Sequence, residues 1–111
     1  MSNANELFPK LDFWEDAEHD WANLDGHQKK YVSKALQRIE VNGANIGEPL
    51  NKKRNIDLTG YRKVKLKSLG IRIVYGMLNG KIEVAEIVVI GNRADEEVYK
   101  EAFRRIQLKN N

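Results

Sequence analysis

The chain has 111 residues, 41% apolar and 32% charged, with a formal net charge of +3 and no cysteine. These values describe one globular domain with a modest core, not a disordered segment, and they exclude disulfides, thiolate chemistry and most structural zinc sites. The longest apolar run, Ile87-Val88-Val89-Ile90, is far too short to cross a bilayer. The opening MSNANELFPK is not expected to act as a signal peptide, because it lacks a basic region followed by an apolar one. A cytoplasmic location is the expectation.

Residues 7 to 13, LFPKLDF, read as a short edge strand, since Pro9 cannot donate to a ladder. Over residues 14 to 24 the spacing of Trp14, Ala17, Trp21 and Leu24 predicts a helix, with acids on its other side. Asp25-Gly26 ends it. A second helix is predicted over residues 27 to 41, with Tyr31, Val32, Ala35, Leu36 and Ile39 on the buried stripe. Asn42-Gly43 stops it, both residues tolerating a left-handed backbone. Residues 43 to 59 form a polar connector. Alternating strands follow at residues 61 to 67 and 71 to 77, and Asn79-Gly80 predicts a tight hairpin into a third strand, residues 81 to 90. A last helix, residues 95 to 108, opens with Asp95, Glu96 and Glu97, which suit the positive end of the helix dipole. The order β-α-α-β-β-β-α predicts an α+β domain with an antiparallel sheet packed against helices.

The charge is segregated. Residues 1 to 25 hold seven acids and one base, Lys10, whereas residues 52 to 72 hold eight bases and one acid, Asp57. Such a bipolar surface suits a polyanion. The hairpin GYRKVKLKSLGIRIVY makes the basic half specific. Its apolar residues Val64, Leu66, Ile71, Ile73 and Tyr75 form one continuous row only if the loop is even, with Leu66 facing Ile71. That register sets Lys65 across from Arg72, beside Lys63 and Lys67. Like charges placed opposite each other destabilise a sheet, so stability alone does not explain them. The bland account is that edge lysines deter aggregation.

These residues also carry a family pattern. LDF at 11 to 13, Trp21-Ala22-Asn23-Leu24, LTGYRKVKLKSLGIRIVY at 58 to 75 and IGNRADEEVYKEAFRRI at 90 to 106 occur in the order that marks the RelE family. The chain resembles these ribosome-dependent ribonuclease toxins of toxin–antitoxin pairs over residues 10 to 106. The resemblance implies five catalytic residues: Lys63 and Lys65 on one strand, Arg72 on the next, Arg93 after the last strand and Tyr99 on the final helix. It implies mRNA on the ribosome as substrate and a cognate antitoxin as partner. The chain departs from the pattern in having Arg62 where relatives are often aromatic and Asp95 where some have a second arginine. Its last strand is also one residue longer, as a β-bulge would make it.

Residues of these types suit attack of an RNA 2′-hydroxyl on the adjacent phosphate. A lysine among other cations has its charged form disfavoured, so Lys65 is the expected general base. Lys63 and Arg72 would hold the scissile phosphate. Arg93 would serve the leaving oxygen, and Tyr99 would stack on a base or orient the 2′-hydroxyl. Taken alone, Tyr99 reads better as a packing residue that anchors the last helix with Phe103 and Ile106. Arg62, Lys52, Lys53 and Arg54 are expected to contact ribosomal RNA, and Lys67 joins the RNA-binding set. His19 and His27 read as surface or capping residues, and with no cysteine no metal or other cofactor is expected. Two other functions stay open: a ParE-like gyrase poison, which generally lacks the lysine pair and the helix tyrosine, and a non-catalytic RNA- or ribosome-binding module.

Overall fold

The computed structural model describes residues 4–53, 56–78, 80–89 and 95–109. In chain order the elements are α1 (Ala4–Leu7), β1 (Leu11–Phe13), α2 (Glu15–Ala22), α3 (Gly26–Asn42), β2 (Glu48–Pro49), β3 (Lys52–Lys53) and β4 (Ile56–Asp57). They continue with β5 (Tyr61–Leu66), a 3-10 turn (Lys67–Leu69), β6 (Ile71–Leu78), β7 (Lys81–Val89) and α4 (Asp95–Lys109). Five strands form one sheet in the order β1-β7-β6-β5-β2, and β3 and β4 pair apart as a small hairpin.

The α+β architecture is as the sequence predicts, with two refinements. The sheet is mixed, because β1 adds to β7 in parallel, Leu11 against Ile82 and Phe13 against Val84. An N-terminal segment and the third strand of the meander can pair this way because the whole helical layer intervenes between them. The predicted strand at 7 to 13 shortens to Leu11–Phe13, and the residues before it form α1. Asn5 ties α1 down: its Oδ1 accepts from Phe13 N at 2.9 Å and its Nδ2 donates to Glu18.

Helix α3 begins on a capping box in which Asp25 accepts from Gln28 N and the Gln28 side chain accepts from Asp25 N. Val32, Ala35, Leu36 and Ile39 are buried along it as predicted. Tyr31 is not: it is 40% exposed, with Lys30 and Lys34 5.8 and 5.4 Å from its ring centre. It sits at the margin of the apolar stripe, where a cation–π setting is available outside the core. The end of α3 also differs from expectation. Gly43 stays right-handed at φ −52°. Glycine is required there because a Cβ would lie 2.7 Å from both Ile39 O and Ile82 Cδ1. The left-handed residue comes later, at Gly47 (φ +75°).

The β5–β6 register is the predicted one: Leu66 faces Ile71, Val64 faces Ile73 and Lys65 faces Arg72. Ile71, Ile73 and Tyr75 are buried, with Val64 and Leu66 packed against them. Between β6 and β7 the register slips at Val74/Tyr75, which leaves Ala85 as the extra residue of a bulge and accounts for the longer last strand. The opposite sheet face is not the open cationic surface that alternation suggests. Arg72 and Val74 are both buried, because α4 lies across this face with Ala102 and Ile106 in the core.

Candidate active site

The site is built where α4 crosses β5 and β6. Alternation points Lys63 and Arg72 to the same face, and α4 brings Tyr99 onto both. The Tyr99 hydroxyl accepts from Lys63 Nζ at 2.7 Å and from Arg72 Nη1 at 3.0 Å. Both cations also lie 5.3 Å from the centre of its ring. A hydroxyl has two lone pairs and one hydrogen. With both lone pairs occupied, Tyr99 can serve a further partner only as a donor. Tyr99 therefore packs against the core, as its Phe103/Ile106 spacing allows, and also ties two cations together.

Lys63 has a second partner, Glu48, whose carboxylate lies 3.3 Å from Nζ. Burial by itself pulls the Lys63 amine down, but the hydrogen bond to Tyr99 and the charge of Glu48 outweigh it and hold the amine above the usual lysine value. Lys63 thus keeps its proton and acts as a fixed positive charge. Lys65 points outward beside it and is exposed, as is Lys67 in the 3-10 turn. Glu48 reaches this place through β2, where it pairs with Lys63 across the ladder. Nothing in the linear spacing of residues 43 to 59 marks it.

No family model matches the chain. It is 35% identical over 96 residues to the mRNA interferase toxin RelE of Escherichia coli, covering 86% of this chain and 95% of that protein. The mRNA interferase RelE of Shigella flexneri matches equally. The chain belongs to the RelE family of toxins. The crystal structure of the isolated Escherichia coli RelE toxin superposes with a TM-score of 0.61 at 28% identity, over 86% of this chain and 96% of that one. RelE in the intact Escherichia coli toxin–antitoxin complex aligns at a TM-score of 0.53 and 28% identity, over 69% of this chain and 90% of that one.

Of the five residues that carry the RelE motif, the structure brings Lys63, Arg72 and Tyr99 into direct contact and sets Lys65 opposite Arg72. Arg93 lies outside the described residues, as does Arg54. Lys52 and Lys53 form β3, and Lys52 is exposed in the small hairpin. The Arg62 guanidinium donates to Ile46 O at 2.8 Å and to Gly47 O at 3.3 Å, pinning the connector. Tyr75 reinforces this from the core: its hydroxyl lies 2.8 Å from both Gly43 O and Ile46 O and shares its single hydrogen between them.

The position of α4 in this RelE-type site rests on Arg105. Its Nη1 donates to Asp20 Oδ2 at 2.7 Å and to Ala85 O at 3.0 Å, while Nε meets Glu101 Oε2 at 2.9 Å. Beyond Phe13, β1 no longer covers the edge of β7; there Ile87 N donates to the same Asp20 oxygen at 3.0 Å. Burial disfavours the guanidinium charge, yet the bonds to Asp20 outweigh it and raise the Arg105 pKa. Asp20, one of the acids opposite the apolar stripe of α2, is thus held in a tertiary ion pair.

Proposed function

We propose that this chain is the toxin of a toxin–antitoxin pair, a metal-independent endoribonuclease that cuts mRNA on the ribosome and so stops translation. The observation that carries this is the convergence of Lys63 and Arg72 on the Tyr99 hydroxyl, in a chain of a family whose members in Escherichia coli and Shigella flexneri are named mRNA interferases. Two protonated groups bridged by one phenol form a positive cradle for a phosphodiester, with the phenol hydrogen free to bond a phosphoryl oxygen.

In the reaction the 2′-hydroxyl gives up its proton, its oxygen attacks the adjacent phosphorus, and the 5′-oxygen leaves with a proton. The products are a 2′,3′-cyclic phosphate and a 5′-hydroxyl end. Lys63 and Arg72 stabilise the charge on the phosphorane. Lys65, exposed at the rim, is the general base, a role typically worth about 10²–10⁴-fold. Arg93 serves the leaving oxygen. Glu48 is a second candidate for the base, because it is a carboxylate in contact with the held Lys63 ammonium. Lys52, Lys53, Arg54 and Lys67 add contacts to ribosomal RNA. The relative solved with a RelB antitoxin peptide, at a TM-score of 0.60 and 26% identity, supports a cognate antitoxin as partner, and an mRNA substrate on the ribosome is in keeping with a cytoplasmic protein.

The test is to add the protein to a translation extract and map mRNA 5′ ends, beside Lys65→Ala, Arg72→Ala, Tyr99→Phe and Glu48→Gln. Cuts that need ribosomes and disappear in Arg72→Ala and Tyr99→Phe support the nuclease. Loss in Glu48→Gln but not in Lys65→Ala moves the base to Glu48. Intact mRNA with blocked supercoiling identifies a gyrase poison instead, and bound but uncut RNA identifies a binding module.

A further inference from the structure

Past the last β2–β5 pair, where the edge of β5 is no longer covered, the surface opens into a pocket of about 250 Å³. Its charged lining is Lys63, Lys65 and Lys67 from the hairpin, Glu48 from β2 and Arg38 from α3. Arg38 comes from the helical layer on the far side of the sheet from α4, and no motif in the chain singles it out. Glu48 is already engaged by Lys63. Among the described residues, the side chains of Arg38, Lys65 and Lys67 make no hydrogen bond or ion pair. Three unpaired cations are thus held around one concavity, which repels itself unless an anion enters.

We infer that this pocket binds the phosphate next to the scissile one on the RNA strand, with Arg38 as its principal ligand. The inference takes the identity of its ligand from the nuclease proposal above. Size agrees: a water takes about 30 Å³ of liquid volume, so the pocket admits a phosphate with part of its ribose. It is smaller than the roughly 300–1,000 Å³ of sites that enclose whole drug-sized molecules. Charge agrees as well, since a guanidinium fork flanked by two ammonium groups matches phosphate oxygens. Continuity selects the strand. Lys63 is at once a wall of this pocket and the donor to Tyr99, so a chain bound at Tyr99 delivers its neighbouring phosphate here. Gly47 shapes the rim: a Cβ there would lie 2.6 Å from Lys63 O.

The test measures binding of a short single-stranded RNA, blocked by 2′-O-methylation at the cleavage position, by fluorescence anisotropy across a salt series. Wild type, Arg38→Ala, Arg38→Lys and Lys30→Ala are compared. Lys30 is exposed on the same helix, two turns away and outside the pocket, so its loss removes one charge without touching the site. The expected result for Arg38→Ala is a salt slope lower by about 0.7, the value for one phosphate contact on a single strand, with affinity down about three- to tenfold. Arg38→Lys recovers part of this and Lys30→Ala changes neither. Equal slopes in wild type and Arg38→Ala overturn the inference, as does an equal loss in Lys30→Ala, which marks a diffuse field. An Arg38 effect seen only with ribosomes carrying no mRNA also overturns it, by assigning the phosphate to ribosomal RNA. Ribosomal mRNA cleavage by wild type is scored in parallel. Cleavage with an unchanged Arg38→Ala slope removes the pocket and keeps the nuclease; the reverse pattern keeps an RNA phosphate site and removes the nuclease.

Discussion

The docking of α4 can be broken and measured through Asp20 and Arg105. Their side chains are 20% and 11% exposed and meet at 2.7 Å. Removing one partner of a fully buried pair costs about 3–5 kcal/mol, and exposed pairs are worth about 0.2–1 kcal/mol. This pair lies nearer the buried limit, but Glu101 at 2.9 Å still partners Arg105 when Asp20 is lost. Asp20→Ala also strands Ile87 N, which donates to Asp20 Oδ2 at 3.0 Å; an orphaned buried donor costs about 1 kcal/mol or more. Each single alanine variant is therefore expected to lose about 3 kcal/mol and the double variant about 4, a coupling energy of about 2 kcal/mol. The assay is equilibrium urea unfolding read by the fluorescence of buried Trp14 and Trp21, with unchanged m-values required for the comparison. Because α4 carries Tyr99, cleavage should fall in both single variants even under conditions where they are folded. A coupling energy below about 0.5 kcal/mol, the usual error of additivity, would refute the claim that this pair seats the helix.

Tyr99→Phe keeps the ring that packs on the core but removes the acceptor shared by Lys63 and Arg72; unfolding should weaken by only about 1–2 kcal/mol, while single-turnover cleavage drops about 100-fold. A purely structural Tyr99 would show cleavage falling no more than the folded fraction does. Gly47→Ala should cost about 2–3 kcal/mol in a chemical melt, because φ is +75° and the new Cβ would sit 2.6 Å from Lys63 O. Gly80→Ala, with φ +78° but nothing within 4 Å, should cost only about 1 kcal/mol, so equal losses would deny the close approach. Glu101 has its pKa lowered to about 2 from 4.5, first by its hydrogen bond to Arg104 and then, against the opposing effect of burial, by Arg105. Its contribution to stability is present above about pH 4.5 and lost as pH falls toward about 2. The melting temperature of Glu101→Gln should therefore decline less over that interval than that of wild type.

Much of the site is written in local pattern. Period-two alternation on both arms of the hairpin, joined by an even loop, admits one register that buries Val64, Leu66, Ile71, Ile73 and Tyr75 together, and it sets Lys65 against Arg72 before any tertiary contact is known. Helical periodicity likewise locates α2, α3 and α4 and, Tyr31 apart, the residues buried along α3. It does not say which layer each helix covers, nor which charged residue on an outer face has a distant partner. Only the tertiary structure decided that α4 lies over Arg72 and carries Tyr99 to it, 27 residues away, or that Asp20 meets Arg105, 85 residues on. Glu48 meets Lys63, and Arg38 lines the adjoining pocket, for the same reason, through strand pairing and layer packing that leave no periodic trace in the chain. Alternation and helical period are local properties of the backbone. Which side chains meet depends on how whole elements dock, and that is set by the shape of the shared core.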